Sequence, residues 1–178
     1  MAAKQQWGEK RVAVSAAQRD RVAVLLGREP RGLEDIPVCS PAGEPMVIRV
    51  ASLVDDKPFP TLFWLIDPDL CYRIDTEEAG GLIARLQQRI DQDEALRTAM
   101  AGDHQRYIAL RDSLIGVPMR KRIEELGYTQ VFSRKGIGGI ADFTRIRCLH
   151  TWYGAHLVEP NTVGRLLEAH WQETPENT

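Results

Sequence analysis

From Leu82 to Ile115 the chain has no proline and keeps a helical pattern. Leu82, Ile83, Leu86 and Ile90 recur at the 3.6-residue period, and Leu96, Met100, Tyr107, Leu110 and Leu114 resume it after a break near Asp91–Asp93. Amphipathic helices of this length must bury their apolar stripes against other elements, so helices dominate whatever fold the chain adopts. Further helices follow from start and stop signals. Ser15 caps a helix bearing Val22, Leu25 and Leu26 that Gly27 stops. Asp67 and Pro68 open one that runs to Ala79, before Gly80-Gly81. Pro118 starts one that reaches Leu126, Asp142 caps one through Leu157, and Pro160-Asn161-Thr162 opens the last, with Val163, Leu166, Leu167 and Trp171.

Strand signals are fewer. Met46–Val50 reads as a short strand, Asp55-Asp56 as a turn and Val131-Phe132 as a brief strand. Thr61–Ile66 is too short for a typical helix and apolar on both faces, which predicts a buried strand. Residues 28–45, with Pro30, Pro37, Pro41, Pro45, Gly32 and Gly43, predict an irregular, turn-rich stretch. The expected fold is α+β, a helix-dominated single domain over residues 13–171 with a small sheet of two to four strands. Residues 1–12 are expected to be a flexible N-terminus and 172–178 a polar tail. A length of 178 residues with 43% hydrophobic and 27% charged residues suits one globular domain and excludes disorder throughout.

Charge narrows the partners. The net charge is −2 and the pI about 6.1, against a general nucleic-acid coat or a polybasic membrane binder. Its distribution is uneven: 67–104 carries nine acids against four arginines, and 118–147 carries seven bases against three acids. Mutual neutralisation of the two segments is the simplest expectation. Three cysteines without framework spacing argue against a secreted disulfide scaffold, and MAAKQQWGEK has no apolar signal core. The run Leu62–Ile66 falls far short of the ~20 apolar residues of a membrane span. A cytoplasmic protein is expected.

Four constellations could carry chemistry. Lys135-Gly-Ile-Gly-Gly-Ile-Ala-Asp142 precedes a predicted helix start, where glycine amides and a helix N-terminus can hold an anion, although neither a phosphate-loop lysine nor a GxGxxG is present. The alternative is a tight turn that needs positive φ. His104, Tyr107 and Arg111 share an arc of roughly 60° on one helix, a proton carrier, a donor and a carboxylate or phosphate clamp in one stripe. The alternative is a half-buried stripe with Arg111 paired to a nearby acid. Cys148-Leu-His150 and His156, with Cys39, invite a metal reading. Residues two apart on a regular helix point about 200° apart, which argues against Cys148 and His150 sharing an ion. Asp67, where a strand meets a helix, is either a functional carboxylate or a cap.

Taken together, Pro58-Phe-Pro-Thr-Leu-Phe-Trp-Leu65, the His104/Tyr107/Arg111 stripe, and Gly136-Ile-Gly-Gly-Ile140 followed by Arg147-Cys-Leu-His150 resemble the bacterial family called domain of unknown function 501. The resemblance runs from about Val22 to Gly164. It implies a bacterial, cytosolic protein, and the family's gene neighbourhoods, near cell division and polyphosphate metabolism, imply a phosphate-related role. The family pattern has a cysteine near Cys39, a Thr-Cys-Pro after the strand and further histidines after Cys-Leu-His. Here Asp67 stands in place of that second cysteine, Cys71 is displaced by four positions, and Trp152 and Ala155 stand where histidines are expected. These departures weaken a metal reading through the family's residues.

The leading expectation is a small-anion, phosphate-like ligand, bound by a binding protein or enzyme. Gly136, Gly138 and Gly139 would cradle it, and Tyr107, Arg111, Lys135 and Arg147 would bind it. His104 or His150 would move protons, with Asp67 as a further catalytic candidate. No cofactor is expected. The alternative is a non-catalytic interaction module linked to cell-envelope or division machinery, with a protein partner at an apolar patch around Trp7, Trp171 or residues 28–45. A third is a metal held by Cys39, Cys148, His150 and His156. No membrane or nucleic-acid partner is expected.

Overall fold

The computed structural model describes residues 13–173. The predicted flexible N-terminus, including Trp7, and positions 174–178 of the predicted tail lie outside them. Helix α1 (Ala16–Leu26) begins with a capping box: Gln18 N donates to Ser15 Oγ, and Ser15 N donates back to Gln18 Oε1 at 3.0 Å. Gly27 closes it at φ 66°, left-handed backbone that glycine adopts without steric cost. Strands β1 (Leu33–Cys39), β2 (Pro45–Val50) and β5 (Phe63–Leu65) form an antiparallel sheet in the order β1-β2-β5. A two-stranded hairpin, β3 (Leu53–Val54) and β4 (Lys57–Pro58), turns through Asp55 and Asp56, both at positive φ.

The helical part follows: α2 (Pro68–Ala79), α3 (Leu82–Gln92), α4 (Glu94–Leu114), α5 (Val117–Glu125), α6 (Thr129–Arg134), a single 3-10 turn (Ile137–Gly139), α7 (Leu149–Val158) and α8 (Thr162–Glu173). This is the α+β, helix-dominated fold with a small sheet that the sequence predicts. Asp93 breaks the long helical stretch, and its carboxylate accepts from Ala95 N and Leu96 N to start α4.

The sheet has helices on both faces. Val47, Phe63 and Val38 join the large cluster with Ile74, Leu82, Ile90, Met100, Leu149, Trp152 and Leu167 from the helices. Ile48, Val50, Leu33 and Ile36 point the other way, with Val22 of α1 and the half-buried Trp64. Pairing of Val47 with Leu65 and Ile48 with Trp64 makes the alternation of the two faces consistent across β2 and β5. A third, small cluster joins Ile115, Ile123 and Phe132.

Several expectations are corrected. Residues 28–45 are not irregular throughout, because β1 crosses them. Its pairing slips between Asp35 and Val38, and this irregularity accommodates Pro37, which has no amide to donate. Val131-Phe132 is helical, part of α6. Asp142 caps no helix: its carboxylate instead accepts from Thr144 N and Thr144 Oγ1 in a tight turn, and α7 starts only at Leu149. The 61–66 run does hold a strand with Leu62, Phe63 and Ile66 buried, as expected, but it lies at the edge of the sheet, since β5 pairs with β2 alone. Helix α7 lies against it at Gly154, where a Cβ would come within 3.0 Å of Leu65 N. Residues 172 and 173 end α8. The acidic and basic segments meet in the pair Arg145–Asp91 at 3.4 Å, whereas Arg120 pairs with Asp112 and Arg122 with Asp56.

Candidate functional site

The two motifs that the anion reading joins do converge, but as a filled junction. Helix α4 presents His104, Tyr107 and Arg111 on one face, and all three side chains are buried. His104 Nδ1 accepts from Ile137 N at 3.0 Å, its ring stacks on Phe143, and Trp152 meets it edge-on. With Nδ1 accepting, the proton of the neutral ring sits on Nε2, which has no partner among the described residues. Burial pushes the imidazole pKa down to about 4, so the ring is neutral at pH 7. Gly136 is required beneath it: a Cβ there would lie 2.1 Å from His104 Nδ1.

Tyr107 Oη accepts from Leu62 N at 2.5 Å, and burial raises its pKa to about 12. Arg111 is 1% exposed and pairs with no acid among the described residues. Its guanidinium donates to three carbonyls: Pro60 O at 2.6 Å, Lys135 O at 2.7 Å and Phe132 O. It also lies over the rings of Tyr107 and Phe132. The fork shape of the side chain explains why arginine stands there: one cation reaches the segment before β5, α6 and the glycine loop together.

The glycine loop spends its own amides internally. Gly136 N donates to Ile140 O, Gly139 N to Gly136 O, and Ile137 N to His104. Gly138 and Gly139 hold positive φ, as a tight turn needs. Lys135 is half-buried and Arg147 exposed. The amides of Gly136, Ile137 and Gly139 are thus engaged within the protein and are not free to hold an anion. Asp67 is the cap of α2, with Oδ1 accepting from Leu70 N at 2.9 Å.

The metal reading is corrected in its geometry. Cys148 is not inside a helix. It stands just before α7 with extended backbone, and its Sγ comes within 3.7 Å of His150 Nδ1. Glu78 of α2 joins them, with Oε1 at 3.5 Å from His150 Nδ1 and at 2.6 Å from Leu149 N. Thus a carboxylate already occupies the N-terminus of α7. The Cys148 sulfur is the main cause of an upward shift of the His150 pKa to about 9, while burial pushes Cys71 to about 11. Cys39 packs in the cluster on the α1 face of the sheet. His156 is used elsewhere: Nδ1 accepts from Asn161 N at 3.0 Å, and Nε2 lies 3.3 Å from Glu168. Neither joins Cys148 and His150. Glu78 was missed, although Cys71, Asp75 and Glu78 at i, i+4 and i+7 mark one face of a helix that Asp67 starts.

Two clefts flank the Phe59–Trp64 ring pair. One, of about 340 Å³, is lined by Thr61, Phe63, Leu65, His150 and Thr151 together with that pair. The other, of about 240 Å³, lies between the end of α1, the β3–β4 hairpin and the sheet. Leu26, Ile48, Val50 and Val54 wall it, and Arg28, Arg31 and Lys57 stand at it. Arg28 lies over the Trp64 indole at 5.4 Å, and Arg31 reaches Asp55 at 3.3 Å. Among the described residues, no carboxylate pairs with Arg28 or Lys57. Sequence reading missed this site because its cations come from two separate segments, 28–31 and the β4 strand, and no spacing rule connects them.

A family model described as "Protein of unknown function (DUF501)" matches residues 36–169. No curated protein and no solved structure matches the chain.

Proposed function

The chain belongs to the DUF501 family, and we propose that it binds a small, phosphate-bearing ligand in the cleft of Arg28, Arg31 and Lys57. The observation that carries this is one cavity that combines three cations, a single acid and an aromatic floor. Arg28 and Lys57 have no described carboxylate to answer, so an anion adds charge-assisted hydrogen bonds without displacing an existing ion pair. Trp64 and Phe59 offer apolar area to the flat or hydrocarbon part of such a ligand. The reading keeps the small-anion expectation and moves it from the glycine loop to the opposite side of the sheet. Three cysteines, all free, favour a reducing, cytoplasmic setting.

Calorimetric titration with inorganic phosphate, pyrophosphate and adenosine monophosphate, at fixed ionic strength, tests it. Saturable binding is expected, tighter for the monophosphate that carries an aromatic base. A charge-assisted contact is worth about 1.5–3 kcal/mol, so Arg28→Ala and Lys57→Ala should each weaken binding roughly tenfold or more. Both side chains are exposed, so both variants should fold. Absence of binding at millimolar ligand, or binding unchanged in the double variant, overturns the reading.

A further inference from the structure

We propose that Glu78, Cys148 and His150 form a zinc-class metal site at the junction of α2 and α7. The three donor atoms lie within 4.8 Å of one another, and each side chain is half-buried. A tetrahedral zinc ion with bonds of about 2.0–2.3 Å places its donors about 3.3–3.8 Å apart. The observed separations from His150 Nδ1, 3.7 Å to the sulfur and 3.5 Å to the carboxylate, match that span.

The surroundings of His150 supply the second argument. Its other nitrogen, Nε2, lies 3.3 Å from Cys71 O and 3.4 Å from Asp75 Oδ1. These are acceptors, so Nε2 keeps its proton, and Nδ1, which faces Cys148 and Glu78, is the nitrogen that gives up its proton to offer a lone pair to a metal. A ligating histidine held by an acceptor on its far nitrogen is the usual outer-shell arrangement of a metal site. Extended backbone at Cys148 makes the site possible, because it frees the residue from the helical angle that would separate it from His150. One thiolate, one imidazole and one carboxylate suit zinc and exclude magnesium or calcium, which take oxygen donors. Three protein ligands leave a fourth position, and His150 also lines the 340 Å³ cleft beside Phe59 and Trp64. Binding releases the Cys148 thiol proton and the His150 Nδ1 proton to solvent as the metal–sulfur and metal–nitrogen bonds form.

The test uses the full chain, stripped with a chelator and titrated with Co²⁺ as a spectroscopic probe. One equivalent should produce a sulfur-to-cobalt charge-transfer band with visible bands of tetrahedral intensity, and Zn²⁺ should bleach them. Cys148→Ser should abolish the charge-transfer band. His150→Ala and Glu78→Gln should weaken binding by about a hundredfold or more, beyond what loss of an outer-shell partner causes. Cys39→Ser, on the other face of the sheet, should leave the spectrum unchanged, and circular dichroism confirms that each variant is folded. The proposal fails if Co²⁺ gives no saturable spectrum, or if the band survives Cys148→Ser and disappears in Cys39→Ser. Neither result bears on the anion cleft, whose residues are all different.

Discussion

His104 illustrates how a residue that reads as catalytic becomes structural once its partners are known. Two constraints hold it: Ile137 N donates to Nδ1, and Gly136 leaves room for the ring. Gly136→Ala should therefore destabilise the protein by about 1–3 kcal/mol or more, because a Cβ at 2.1 Å from Nδ1 forces the ring or the loop to move. Gly116→Ala, whose nearest neighbour is 3.9 Å away, should change the urea midpoint little. Acid should expose the same residue. The unfolded imidazole titrates near 6.5 and the folded one near 4, because burial outweighs the opposing pull of Asp142. Between those values the unfolded chain takes up a proton that the folded chain refuses. The stability tied to neutral His104 is complete above pH 6.5 and falls as pH drops toward 4, by a total on the order of 3 kcal/mol. His104→Asn keeps an acceptor and cannot titrate, so urea unfolding from pH 7 to 4.5 should show a shallower loss for it than for the wild type. Burial also lowers the pKa of His156, so that histidine contributes in the same direction to both proteins and cancels from the difference. Equal losses would show that His104 is not the group involved.

At the scale of elements, legibility followed the locality of the signal. Caps were readable because each is completed within a few residues, Ser15 with Gln18 and Asp67 with Leu70, whereas near Asp93 the sequence showed only the break. Strand β1 was not, because its pairing with β2 lies outside the local sequence and Pro37 sits at a pairing slip that only the structure reveals. Asp142 also misled: an Asx turn with Thr144 uses the same carboxylate chemistry as a helix cap. The candidate sites divide the same way. The stripe on α4 was legible as one face, but what it faces, a glycine loop some thirty residues away, was not. For Asp67 the local signal holds two readings that a conservative pair of variants separates. As a cap it should tolerate Asp67→Asn, since asparagine caps as well, whereas Asp67→Ala should cost about 1 kcal/mol in chemical denaturation. A large, equal loss in both variants would mean that the charge itself is needed.

The described residues pack into three hydrophobic clusters of very different size, and Arg111 links the largest to the smallest. The large cluster ties β2 and β5 to α2, α3, α4, α7 and α8, whereas α5 and α6 are held mainly by Ile115, Ile123 and Phe132. Few buried apolar contacts mean a low free energy of local opening, so segment 117–134 should open before the rest of the protein. Arg111 opposes that opening. Its guanidinium leaves the large cluster on α4 to bind Phe132 O of α6 and Lys135 O of the glycine loop. Lysine carries the same charge but has one nitrogen, which cannot reach all three carbonyls in a fork. Arg111→Lys should thus raise hydrogen-exchange rates roughly tenfold or more across α6 and residues 135–140, from the loss of charge-assisted bonds, and leave α3 at its wild-type protection. Uniform acceleration across α3 and α6 would mean that Arg111 sets global stability and that the small cluster has no separate opening. The contrast matters for the proposed sites as well. The metal cluster lies at the start of α7, away from segment 117–134, whereas the anion cleft borders that segment through the Arg122–Asp56 pair at the β3–β4 turn. Metal binding should accordingly persist in Arg111→Lys under conditions where α6 exchanges freely.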